Sequence, residues 1–161
     1  MVGKALGFIM AHSALIGSSL EKGQLMVPYI VIEKDGHRTS TEFEADTQGE
    51  AVEKASNAFK KLMLNSDLVA FAQEGLVTLE SGEKQDVYFF KVWTHGMNEP
   101  LEAYQMFNPI PFSLVGNVQI LNFPESGLDL DKAEEFAENL NVGIESHRTA
   151  GALWMGWFTN N

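Results

Sequence analysis

A chain of 161 residues amounts to one domain, and with 45% hydrophobic and 11% aromatic residues it holds enough apolar surface to offset chain entropy, which excludes disorder as its dominant state. Eleven lysines and arginines against twenty-two aspartates and glutamates leave a formal charge of −11, a field that repels nucleic-acid phosphates and anionic membrane surfaces. The absence of cysteine excludes disulfides, thiol catalysis and cysteine-ligated zinc or iron–sulfur centres, and it suits a reducing, cytoplasmic compartment.

In residues 4–20 the apolar side chains Ala5, Phe8, Ile9, Leu15, Ile16 and Leu20, together with His12, recur at three- and four-residue spacing, which predicts a helix ended by Gly23. Leu6, Met10 and Ala14 widen the apolar surface beyond one stripe, so this helix needs cover on more than one side. The segment loosely imitates a secretory signal, with Lys4 ahead of an apolar run, but His12 and Ser13 interrupt the run and no small-x-small cleavage site follows. No stretch approaches the roughly 20 uninterrupted apolar residues of a membrane span. Gly3 and Gly7 have the small-xxx-small spacing of close helix crossings, a motif whose meaning is strongest in membranes.

Residues 24–33 are rich in Val and Ile and predict a strand; Asp35 and Gly36 then give the strongest short-range hairpin signal, leading to a second strand over residues 37–44. That second strand alternates Arg38, Ser40, Glu42 and Glu44 with Thr39, Thr41 and Phe43, which suits a sheet edge with one wet face. Pro28 cannot donate to a ladder, so an edge or a bulge is expected in the first strand as well.

Thr47 and Glu50 form a capping-box pattern at the start of a second helix, whose apolar face is Ala51, Val52, Ala55, Phe59, Leu62 and Met63. Glu50 and Glu53 near its start and Lys60 and Lys61 near its end complement the helix dipole, and Glu50 is spaced to pair with Lys54. Residues 68–80 carry a short apolar run whose period does not separate helix from strand; the extended stretch from Leu76 to Leu79 favours a strand, with Gly75 as a bulge or bend.

Residues 86–107 hold the centre of the sheet. The first ten place β-branched and aromatic residues on both faces of an extended chain, the pattern of a strand buried on both sides. Gly96, Asn98 and Pro100 break the run and the apolar pattern resumes at Leu101, which predicts an antiparallel pair. Pro109 and Pro111 then kink the chain, and residues 112–123 are extended again, with Gly116 and Asn117 a tight turn or a bulge. Asp129 or Asp131 caps a third helix that carries Glu134 and Glu135 in its first turns and continues through Phe136, Leu140, Ile144, His147, Gly151, Trp154 and Phe158. A break at residues 141–143 and a strand over residues 152–158 both remain open. These elements make one α+β domain over residues 1–161, an antiparallel sheet of five to seven strands with about three helices packed mainly on one face.

Four histidines are the side chains whose ordinary titration lies near neutral pH, so acid–base or metal chemistry would start with them. His37 reads as an exposed hairpin residue and His12 as a core histidine on the apolar face of the first helix. His95 closes the central strand beside a loop, with Glu99 four residues on, and Glu145, His147 and Arg148 form the densest polar cluster of the C-terminal segment. These five, His95, Glu99, Glu145, His147 and Arg148, are the candidate ligand-binding residues. No His-x-x-x-His or Glu-x-x-His spacing supports a metal site, and no nucleophile elbow, phosphate loop, dinucleotide fingerprint or calcium loop occurs, so no catalytic residue and no cofactor is assigned.

The feature left over is surplus apolar surface in residues 8–20 and 152–158, which favours a non-enzymatic binding or assembly module acting through an apolar protein–protein interface. A homo-oligomer is expected, a two-fold dimer with the first helix or the C-terminal aromatic segment in the contact; a monomer whose third helix covers the first is the competing arrangement. The acidic charge would also suit a basic protein partner, and no nucleic-acid or membrane partner is expected. The alternative is a small-molecule-binding or hydrolytic enzyme with a pocket between sheet and helices, lined by Trp93, Tyr104 and Trp154, near His95 and His147.

Overall fold

Hairpin connections dominate the topology of this computed structural model, which describes residues 1–158. Six strands, β1 (Tyr29–Lys34), β2 (His37–Glu42), β3 (Leu68–Thr78), β4 (Lys84–Thr94), β5 (Leu101–Asn108) and β6 (Ser113–Ile120), form one antiparallel sheet in the order β2-β1-β3-β4-β5-β6. The β1–β2 turn has positive φ at both Asp35 and Gly36, the backbone that a two-residue hairpin loop needs to match the twist of its strands. β2 is a fully exposed edge. β1 is interior rather than an edge, because Pro28 falls one residue before it, where the missing N–H costs nothing and the carbonyl still accepts from Phe43 N–H at 2.9 Å.

Residues 68–78 are strand throughout, pairing β1 on one side and β4 on the other, with Gly75 held in regular register opposite Val87 rather than bulged. A bulge does occur in β6: the register slips between Tyr104 and Met106 opposite Gly116, whose φ is +66°.

Four helices among the described residues complete the fold, three on one face of the sheet and one on the other. α1 (Val2–Ser18) lies against β3 and β4 and buries Leu6, Ile9 and Met10 on Tyr29, Ala70, Tyr88, Phe90 and Val92. α1 ends at Ser18, ahead of the expected Gly23, and Ser18 and Ser19 hydroxyls donate back to the carbonyls of Leu15 and Ile16. α3 (Ala133–Ser146), entered through a 3-10 turn that Asp129 caps, packs across the outside of α1. The crossing is made by glycines. A Cβ on Gly3 or Gly7 would strike the backbone of α3 at Phe136 or Leu140, and one on Gly143 would strike the Lys4 carbonyl of α1. The small-residue spacing of Gly3 and Gly7 therefore serves a helix crossing inside this domain, and α3 supplies the second layer that α1 requires. The helical C-terminal segment breaks at His147, not at residues 141–143, and continues as α4 (Arg148–Leu153) and a 3-10 turn over Trp154–Trp157. Phe158 then makes a single parallel bridge to Leu114.

The opposite face holds α2 (Gln48–Leu62), whose Thr47 side chain accepts from Glu50 N–H at 3.2 Å as the capping pattern predicts. Lys54 does not pair with Glu50; its ammonium donates to the Glu44 carbonyl at 3.2 Å. Ala55 and Phe59 of α2 pack on Ile30, Val69 and Phe71, so this helix covers β1 and β3 and reaches β4 only around Trp93 and Lys91. The two-sided burial expected of the central strand holds in part: Tyr88, Phe90 and Val92 of β4 are sealed beneath α1, and on the other face Val87 is buried and Trp93 packs against the α2 cluster, whereas Phe89 and Lys91 between them are only half-buried.

Candidate functional site

Of the five candidate residues, His95 is exposed at the end of β4, edge-on to Trp93 and 3.9 Å from the Asp67 carboxylate. Glu99 turns to Asn122, whose amide donates to it at 3.0 Å while also tying down the Pro100 carbonyl and the Glu102 amide. Glu145 and Arg148 are exposed, and the ion pairs among the described residues do not include them. Trp93 and Tyr104 stand on the α2 side of the sheet and Trp154 on the α1 side, so the structure does not gather them around one pocket.

His147 is brought to His12, the histidine of the apolar face of α1. The helix break that makes it the N-cap of α4 swings its ring onto α1, where Nε2 lies 3.0 Å from Nδ1 of His12. The backbone fixes the protons: Ala150 N–H donates to His147 Nδ1 at 3.1 Å, so the neutral ring carries its hydrogen on Nε2 and donates it to His12 Nδ1, leaving His12 protonated on Nε2. Phe8 stacks against His147 with centroids 5.2 Å apart, the Tyr29 ring meets His12 edge-on, and the Arg38 guanidinium sits 4.3 Å above Phe8. Burial holds His12 below its ordinary pKa, with the neighbouring His147 adding to the effect, and burial also lowers His147. A metal ion between the rings would need the hydrogen of His147 Nε2 moved to Nδ1, against Ala150 N–H, and no third histidine or carboxylate joins the pair among the described residues. Spacing along the chain could not reveal the pair, because its members lie 135 residues apart.

The second feature is the uncovered half of the sheet. From the registers, the α2-side face of β3 to β6 carries Gln73, Gly75, Phe89, Lys91, Glu102, Tyr104, Met106, Val115 and Gln119 around a fully buried Val87. Phe89 lies over Gly75 and edge-on to Tyr104, with ring centroids 6.0 Å apart. Lys91 and Glu102, 3.7 Å apart, are the charged side chains of these strands on this face, so it is neutral on a chain of −11. Two adjoining hollows of about 180 and 250 Å³, sharing Phe71 and Lys91, run from Leu121 to Pro100 along the flank of α2. Each falls below the roughly 300–1,000 Å³ of ordinary ligand pockets, and neither contains a histidine.

Comparisons of the chain with protein-family models, with curated proteins and with solved structures find no match. No helix among the described residues is long and apolar enough to cross a membrane.

Proposed function

We propose that the protein is a non-enzymatic assembly module that pairs with a second copy of itself through the open half of its sheet. The observation that carries this is the contrast between the two faces of β4 and β5: one is buried in the core that α1 covers, the other leaves Phe89, Tyr104 and Met106 partly exposed, with Leu121 55% exposed just beyond β6. An apolar face rimmed by polar residues is the mark of an interaction surface. The occupant follows from charge. A basic partner would be drawn to the acidic remainder of the surface but finds no net attraction here, whereas a second copy meets a neutral face and can set Lys91 of each chain against Glu102 of the other. Of the two contacts expected from the sequence, α1 is occupied by α3, and the C-terminal segment keeps Leu153 and Met155 exposed as the competing surface. A reducing, cytoplasmic setting is supported by the lack of cysteine.

Sedimentation equilibrium at micromolar loading tests the reading. The expected mass is twice 17.8 kDa, falling to the single-chain value in Tyr104→Asp and unchanged in Met155→Asp. A single-chain mass at every loading overturns the proposal, and dissociation by Met155→Asp alone moves the contact to the C-terminal segment.

A further inference from the structure

We propose that the His12–His147 pair is a proton-operated latch that holds the C-terminal segment, α4 through Phe158, onto α1 at neutral pH and releases it in mild acid. The latch is a chain of three donors and acceptors with one consistent arrangement: Ala150 N–H to His147 Nδ1, then His147 Nε2–H to His12 Nδ1. A proton has two places to go, and each breaks a link. On His12 Nδ1 it sets two N–H groups against each other across 3.0 Å; on His147 Nδ1 it opposes Ala150 N–H and removes the cap of α4.

Nothing around the pair compensates for the added charge. From α1 the neighbour is Phe8; from β1 it is Tyr29, whose hydroxyl is bound to Ser13 and the Ile9 carbonyl. From β2 comes the Arg38 cation, over Phe8 and paired with Glu33, and from α3 and α4 come the exposed Glu145 and Arg148. Among the described residues no carboxylate lies within ion-pair distance of either imidazole. Burial, with His147 adding to it at His12, lowers both histidines from 6.5. A histidine depressed on folding contributes stability that is complete above its unfolded pKa of 6.5 and is lost as pH falls from there through the folded value. Glu74 titrates in the opposite sense: burial raises its carboxyl, with Asp86 adding to the effect against the bond from Met26 N–H, so taking up a proton favours the folded state and cannot be the cause of loosening.

The released segment is short, and it is held elsewhere by the buried Ala150 and Trp154 and by the one bridge to Leu114. Amide hydrogen exchange at pH 7 and pH 5, corrected for the intrinsic pH dependence of exchange, reads the release. Protection of residues 148–158 should fall at least tenfold at pH 5 while that of β3 and β4 is kept. His147→Asn keeps a helix-capping side chain without a titrating ring, and His12→Gln removes the other partner; both should abolish the pH dependence, whereas the double variant His37→Gln, His95→Gln should retain it. Equal protection at the two pH values in the wild type, or a tenfold fall that persists in His147→Asn, overturns the latch. The interface reading is unaffected by either result, because it concerns the other face of the sheet.

Discussion

Phe89 and Phe90 are adjacent, identical in chemistry and opposite in circumstance. Phe90 is 1% exposed among the residues that α1 seals, and its truncation to Ala should cost about 3–5 kcal/mol in a urea unfolding series. Phe89 stands on the open face over Gly75, and at loadings where the chain is single its truncation should cost less than half as much. Equal losses at both positions would show that the open face is covered within one chain. The sequence makes the alternation of these side chains legible but not which side lacks a lid, since that depends on how far α2 reaches across the sheet. Histidine shows the same limit. The apolar spacing placed His12 on the buried face of α1, yet its partner is set by a helix break at His147 that local spacing, which ran on smoothly to Phe158, did not mark.

At the scale of the element, the legible parts were those with local causes: the Asp35 and Gly36 turn, the Thr47 cap, the wet edge strand β2, and an antiparallel sheet whose six strands fall within the expected five to seven. The glycine spacing of α1 was visible and its meaning was not, because a close helix crossing needs a second helix whose position is a tertiary fact. Here Gly7 meets Leu140 and Gly143 meets Lys4, in each case a backbone carbonyl that no rotamer change can move aside. Alanine would gain about 1 kcal/mol of helix propensity at either position, but the clash forces the helices apart, at a typical overpacking cost of about 1–3 kcal/mol or more. Gly7→Ala and Gly143→Ala should therefore lower the thermal midpoint. Gly49→Ala in the first turn of α2, where an added Cβ meets nothing, should leave it unchanged or raise it. Calorimetry on the three variants checks the contrast, and a gain in Gly7→Ala would mean that α1 and α3 are not in contact at that crossing.

For the whole molecule, the balance between an apolar contact and long-range repulsion decides how association responds to salt. Two chains of −11 repel at a distance, and at low ionic strength that repulsion reaches well past the dimensions of the contact, since the Debye length is about 30 Å at 0.01 M and about 10 Å at 0.1 M. The interface proposed for the open sheet face contains one cation and one anion per chain, both about half exposed in the single chain, and exposed pairs of this kind contribute no more than about 1 kcal/mol each. Salt therefore removes far more repulsion between the two acidic bodies than attraction between Lys91 and Glu102. The dimer should strengthen as sodium chloride rises from 0.01 to 0.3 M, with the dissociation constant falling severalfold, and Lys91→Gln should change that dependence little. Sedimentation at several salt concentrations measures it. A dimer that weakens with salt would be held by ion pairs rather than by Phe89, Tyr104 and Met106, and its contact would have to be sought where opposite charges meet.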